Sequence, residues 1–237
     1  MRGDIIKALV FDVFGTIVDW RSSLIAELSA FGAARGLAAD WPALVDAWRG
    51  AYAPSLDRVR RGARAWAPLD VLHRETLDRL VQEFGIAGLD EAALRHINRG
   101  WHRLRPWPDA VGGLGRLKRR FVIAPLSNGN LALLTAMAKQ AGLPWDAIFG
   151  ADLFRHYKPD PETYLGACAL LDLPPQEVMM VAAHNADLAA ARALGLATAF
   201  FPRPGEYGPG QVRDLTAEAA WDVVAQDVED LAARLGA

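Results

Sequence analysis

The segment "IIKALVFDVF", Ile5 to Phe14, is apolar except for Lys7 and Asp12. An apolar run without alternation suits a strand buried on both faces, as in a parallel sheet covered by helices. Residues 121–126, 178–183 and 197–201 read the same way, and 147–151 more weakly. Helical patterns separate them. Residues 131–141 end at Gly142, Asp160 and Pro161 open a helix running to 171, and residues 187–194 close at Gly195. Strand–helix alternation predicts an α/β fold, a doubly wound Rossmann-like parallel sheet with helices on both faces.

Residues 20–105 break the alternation. They carry helical periodicity and no convincing strand: Leu24, Ile25, Leu28 and Phe31 share a face, as do Trp41, Leu44, Val45 and Trp48. Leu69, Leu72, Thr76, Leu77, Leu80 and Phe84 form a third. This predicts a helical insert after the first strand, returning through "RLRPWPDA" to a core made of residues 1–19 and 106–237. The loop "PRPGEYGPG", 202–210, reads as a breaker-rich connection.

Composition narrows the function classes. The 237 residues carry a formal net charge of −2 with no basic tract, which argues against nucleic acid or an anionic membrane as partner. The late apolar segment is interrupted by His184, Asn185, Asp187 and Arg192, so no membrane span is expected. "MRGD" leads directly into the first strand, leaving no room for a signal peptide. One cysteine, Cys168, permits no internal disulfide and fits a reducing, cytoplasmic setting. Cys168 itself reads as helix core.

Sites in doubly wound sheets lie at the carboxyl ends of the strands. Polar residues gather at four such ends: Asp12; Ser127 and Asn128; Lys158; and His184 to Asp187. A strand-end Asp alone often caps a turn, but four polar strand ends in one sheet point to a site. Ser127 and Asn128, read as opening the helix after their strand, suit a bound anion, or serve as a plain N-cap.

Four segments in order, "FDVFGT" (11–16), "LSNGN" (126–130), "YKPDPETY" (157–164) and "VAAHNAD" (181–187), resemble the motifs of the haloacid dehalogenase superfamily, with the helical insert where that superfamily carries its cap domain. Most members transfer phosphoryl groups, using a second Asp two residues after the nucleophile as general acid, and magnesium held partly by the fourth motif. Here Phe14 and Ala183 stand at those places, and neither can donate a proton or ligate a hard cation. The pattern, with "FDVFGTIVDWRSSL" and "WRGAY", is similar to the (S)-2-haloacid dehalogenase group.

That resemblance implies hydrolysis of short 2-haloalkanoic acids to 2-hydroxy acids with inversion, through a covalent ester on Asp12, with no cofactor, no metal and a homodimeric assembly. It further implies Lys158 beside Asp12, Thr16 orienting it, and Asp187 fixing Lys158 or the hydrolytic water. It places Arg49 on halide and substrate, Asn128 on the halide and Tyr164 in the active site. A halide leaves as a stable anion, which explains an apolar Phe14. Trp20 and Trp48 are further candidates for the pocket wall beside Phe14, and Trp66 a weaker one. The group's "SSN" is replaced by Ala182, Ala183 and His184; His184 can take over water activation, or be an ordinary hydrogen-bonded histidine. Three alternatives stay open: ring opening of a strained cyclic amino acid by the same Asp12 attack, a phosphatase with shifted metal ligands, and a non-enzymatic binding role.

Overall fold

The computed structural model describes residues 5–237. Its central sheet has six parallel strands in the order β5-β4-β1-β6-β7-β8. These are β1 (Ala8–Phe11), β4 (Val122–Ser127), β5 (Phe149–Gly150), β6 (Val178–Ala182), β7 (Ala197–Phe200) and β8 (Val223–Val224). The first strand is shorter than the apolar run, but pairing continues past both ends: Lys7 N donates to Glu177 O at 2.8 Å and Asp12 N to Val181 O at 3.0 Å. β8 was not expected; two valines in the polar setting "AWDVVAQD" carry no strand signature, and they add only to the sheet edge.

β1 lies between β4 and β6 and is buried on both faces. Leu9 and Phe11 join one hydrophobic cluster and Ala8 and Val10 the other. Two-sided burial selects a continuous apolar run over an alternating one. The covering helices include α6 (Ala110–Leu117), α7 (Leu131–Ala141), α9 (Pro161–Leu170), α10 (Asn185–Ala193) and α11 (Val228–Arg234).

After β1 a short antiparallel ribbon forms, β2 (Val18–Asp19) pairing with β3 (Arg105–Pro106). Between its strands run five helices: α1 (Trp20–Arg35), α2 (Trp41–Gly50), α3 (Tyr52–Arg60), α4 (Leu69–Glu83) and α5 (Glu91–Asn98). Asp19 caps α1 through Ser22 N, and Gly36 at φ 65° ends it in the left-handed conformation that glycine adopts freely. The α4 face read from periodicity is buried at Leu69, Leu72, Thr76, Leu77 and Leu80, while Phe84 caps the helix end and is only partly buried. No helix among the described residues is long and apolar enough to cross a membrane.

Candidate active site

Asp12 follows the last residue of the central strand, so its backbone is fixed by the sheet while its side chain faces the end of the strands. Its carboxylate is buried and fully engaged. Oδ1 accepts from Lys158 Nζ at 2.9 Å. Oδ2 accepts from Thr16 Oγ1 at 2.7 Å and lies 3.1 Å from His184 Nδ1. Thr16 in turn accepts from Ala183 N at 3.0 Å, which ties the turn after β1 to the end of β6. Burial pushes the Asp12 carboxyl up, but the Lys158 charge and the His184 hydrogen bond outweigh it and hold the group well below the usual carboxylate range.

Lys158 lies in the loop before α9. Its backbone N donates to Asn128 Oδ1 at 2.7 Å, so the Asn128 amide fixes the lysine's course. Its ammonium also donates to Asp187 Oδ2 at 2.5 Å, and Tyr164 OH donates to Asp187 Oδ1 at 2.6 Å. Burial pulls the Lys158 ammonium down, but Asp12 and Asp187 hold it firmly protonated. His184, not Asp187, occupies the N-cap position of α10, which leaves both Asp187 oxygens for Lys158 and Tyr164.

These groups border a cavity of about 210 Å³ lined by Asp12, Phe14, Arg49, Tyr52, Asn128, Lys158, Tyr164, His184 and Asp187, together with Pro159 and Ala186. Arg49 enters from the last turn of α2, its guanidinium carbon 4.3 Å from the Tyr52 ring centroid and 5.3 Å from that of Trp20. Arg49 Nη1 is buried and has no hydrogen-bond partner among the described residues. A buried, unpaired guanidinium N–H beside a small cavity is a receptor for an anion.

Several sequence candidates are not in the cavity wall; Thr16 lies behind Asp12, and the others are satisfied elsewhere. Trp48 is fully buried, donates Nε1 to His73 O at 3.0 Å and packs edge-on against Trp101; helical spacing made it core. Trp20 stacks on Trp101 and donates Nε1 to Glu206. Ser127 accepts from Gly129 N at 3.1 Å and does not open the following helix, whose N-cap position belongs to Asn130. Trp66, the weaker candidate, packs on Tyr157 at 4.8 Å between ring centroids.

Sequence reasoning passed over Glu206, Tyr52 and Tyr207, the last packing edge-on against Trp20 with its hydroxyl 3.5 Å from His184 Nε2. Glu206 lies in the 202–210 loop, is fully buried, and its carboxylate oxygens lie 2.9 and 3.2 Å from His184 Nε2. His184 thus sits between two carboxylates. Burial pulls its imidazolium down, but Glu206 and Asp12 raise it well above the ordinary histidine value. Tyr52 could have been found, because Arg49 and Tyr52 are three apart on one helical side. Nothing local distinguishes Glu206 from a solvated loop carboxylate.

A model of the haloacid dehalogenase-like hydrolases matches residues 6–195. The chain belongs to this family. It is 33% identical over 210 residues to (S)-2-haloacid dehalogenase 1 of Pseudomonas sp. (strain CBS-3), covering 86% of this chain and 89% of that one. Its fold matches the crystal structure of the L-2-haloacid dehalogenase PA0810 with a TM-score of 0.95 and 57% identity, over 98% of this chain and 99% of that chain. The defluorinating L-2-haloacid dehalogenase Rha0230 matches with a TM-score of 0.95 and 50% identity, over 98% and 96%.

Phosphoryl-transferring members of this superfamily hold magnesium, and the donor set here does not suit that ion. Phe14 and Ala183 offer no side-chain oxygen, and the Lys158 ammonium already bridges Asp12 and Asp187, where it would repel a divalent cation.

Proposed function

We propose that this protein hydrolyses short 2-haloalkanoic acids, haloacetates and (S)-2-haloacids, to 2-hydroxy acids with inversion, without a metal, and that residues 20–105 act as a cap domain over the site. One observation carries the reading: a buried, ionised Asp12 is paired with an ammonium, with apolar Phe14 where a general acid would stand. Such a carboxylate is a nucleophile suited to a leaving group that needs no proton.

The Asp12 carboxylate attacks the halogen-bearing carbon from the face opposite the halide, forming the C–O bond of an ester as the C–X bond breaks. Arg49, with its free Nη1, receives the substrate carboxylate or the departing halide, and Asn128 and Tyr52 complete the cradle. Lys158 keeps Asp12 ionised, while Thr16 and Asp187 fix Asp12 and Lys158 respectively. Water then attacks the Asp12 carboxyl carbon, with His184 placed to take its proton. A homodimer, expected from the family resemblance, and a cytoplasmic location, in keeping with a lone buried Cys168, belong to the same reading.

The test is halide and hydroxy-acid release from chloroacetate, fluoroacetate and both enantiomers of 2-chloropropionate, with a chelator present and Asp12→Asn as control. Chelator-insensitive turnover of chloroacetate and the (S) enantiomer, lost in the variant, is expected. No halide from any of them sinks the reading and moves the search to strained cyclic amino acids.

A further inference from the structure

Glu206 has no part in the scheme so far, yet the fold goes to some length to keep its charge inside. Glutamates are almost never fully buried unless paired. This one accepts from Trp20 Nε1 at 3.0 Å and faces His184 Nε2 with both oxygens. Room for it is made in the "FDVFGT" turn: Gly15 has φ +86°, and a Cβ there would fall 2.0 Å from Glu206 Oε1. The opposite ring nitrogen of His184, Nδ1, points at Asp12 Oδ2. Carboxylate, imidazole and reacting carboxyl therefore form one hydrogen-bonded chain, the arrangement of a base whose far nitrogen is held protonated by an acidic partner.

Resting on the dehalogenase reading above, we propose that Glu206 is the positioning residue for the second half-reaction: it holds His184 with Nε2–H toward itself and Nδ1 toward the Asp12 ester, so that Nδ1 takes the proton of the attacking water.

In the free enzyme two carboxylates flank His184 and keep it an imidazolium, a poor base but a good donor to Asp12. Ester formation removes the Asp12 charge. The imidazolium loses one of its two anionic partners, and the Nδ1 proton leaves to solvent along with the halide, while the Nε2 proton stays on His184, donated to Glu206. The freed Nδ1 lone pair accepts a proton from water as the water oxygen bonds to the Asp12 carboxyl carbon. Collapse breaks the bond from that carbon to the alkyl oxygen, which takes the proton back from His184 and leaves as the hydroxy acid. The regenerated Asp12 carboxyl gives its proton to His184, restoring the resting pair. The sum is haloacid plus water to hydroxy acid, halide and one proton.

The experiment is rapid mixing with (S)-2-chloropropionate, reading chloride release and intact protein mass in wild type, Glu206→Gln, His184→Ala and the double variant. Glu206→Gln is expected to release about one chloride per site at close to the wild-type rate and then stall, with the acyl-linked adduct accumulating and steady turnover at least tenfold lower. His184→Ala should also stall with adduct accumulating, after a slower burst because Asp12 loses a hydrogen-bond donor, and the double variant should be no slower than His184→Ala alone, because Glu206 acts only through His184. A structural role would instead lower burst and turnover together. Wild-type-like turnover in Glu206→Gln, a lost burst without adduct, or a further drop in the double variant overturns the proposal and leaves the dehalogenase reading standing. No chloride from the wild type overturns both. If Glu206→Gln does not fold, Glu206→Asp decides: it keeps the charge but pulls it back, and adduct must again accumulate.

Discussion

Replacing Lys158 by methionine keeps most of the stem and removes the charge that faces both Asp12 and Asp187. At 2.9 Å and an effective dielectric constant of about 20, the Asp12–Lys158 attraction is roughly 6 kcal/mol gross. Desolvation offsets part of that, and removing one partner of a buried pair costs a net of about 3–5 kcal/mol. At about 1.36 kcal/mol per decade, the attacking carboxylate should lose roughly 10²- to 10⁴-fold in kcat/KM near neutrality. The sign with pH is also fixed. Burial alone raises the Asp12 carboxyl, and with the ammonium gone His184 is left to oppose it. A raised carboxyl is protonated below its pKa, so the activity of Lys158→Met should climb as pH rises, while the wild type, with Asp12 held ionised, is flat over the same range. Initial rates of chloride release from (S)-2-chloropropionate between pH 6 and 10 measure both, with circular dichroism to verify folding. A variant within tenfold of wild type at neutral pH, or equally impaired at every pH, would refute the argument that Lys158 works by charge.

Three further outcomes follow from the geometry. Gly15→Ala combines a left-handed backbone with a Cβ driven into the Glu206 carboxylate; a cost of about 3–5 kcal/mol is expected, from about 1–2 for the backbone and the rest from displaced charged hydrogen bonds, read as a fall in Tm. Asp109, whose two oxygens accept from the Arg203 guanidinium at 2.8 Å each, has its carboxyl raised by burial and lowered further by Arg203, ending below the usual range. Its stabilisation is present above the unfolded value of about 3.9 and lost below it, so urea midpoints of wild type and Asp109→Asn should differ at pH 7 and converge as pH falls through about 4. Asp70 at the start of α4 accepts from Asn130 Nδ2 at 3.0 Å and lies 2.9 Å from His102 Nε2; Asp70→Ala should lower stability by about 2–4 kcal/mol and raise KM more than it lowers kcat, measured by thermal melting and steady-state rates.

The parallel sheet was legible because its strands are buried on both faces and so write continuous apolar runs, with punctuation such as Gly142, where α7 ends at φ 67°. Asp12 and His184 were legible because a polar residue at the close of an apolar run is conspicuous, whereas Lys158 proves to lie not at the end of β5 but beyond a further short helix, Ala151–Phe154; all three meet Asp187 around one cavity. What escaped was tertiary. Glu206 lies 22 residues past His184 in a loop of glycines and prolines, where a charged residue reads as solvated. Trp20 and Trp48 looked like pocket wall because tryptophan suits a halide, but each satisfies its indole N–H inside the core. The two-residue β8 is too short to carry a period at all.

Asp12 is attached to a strand that has neighbours on both sides, the part of a sheet whose amides open only when the whole molecule does. The Asp12 carboxylate is therefore anchored where the fold is steadiest. Arg49 and Tyr52 arrive from helices between two short strands, and Glu206 and Tyr207 from a loop, none of them part of that sheet. On the proposed mechanism, exchanging these contributors would retune which acid is admitted or how fast the ester is released, while the proposed nucleophile stays on a foundation that such changes do not reach.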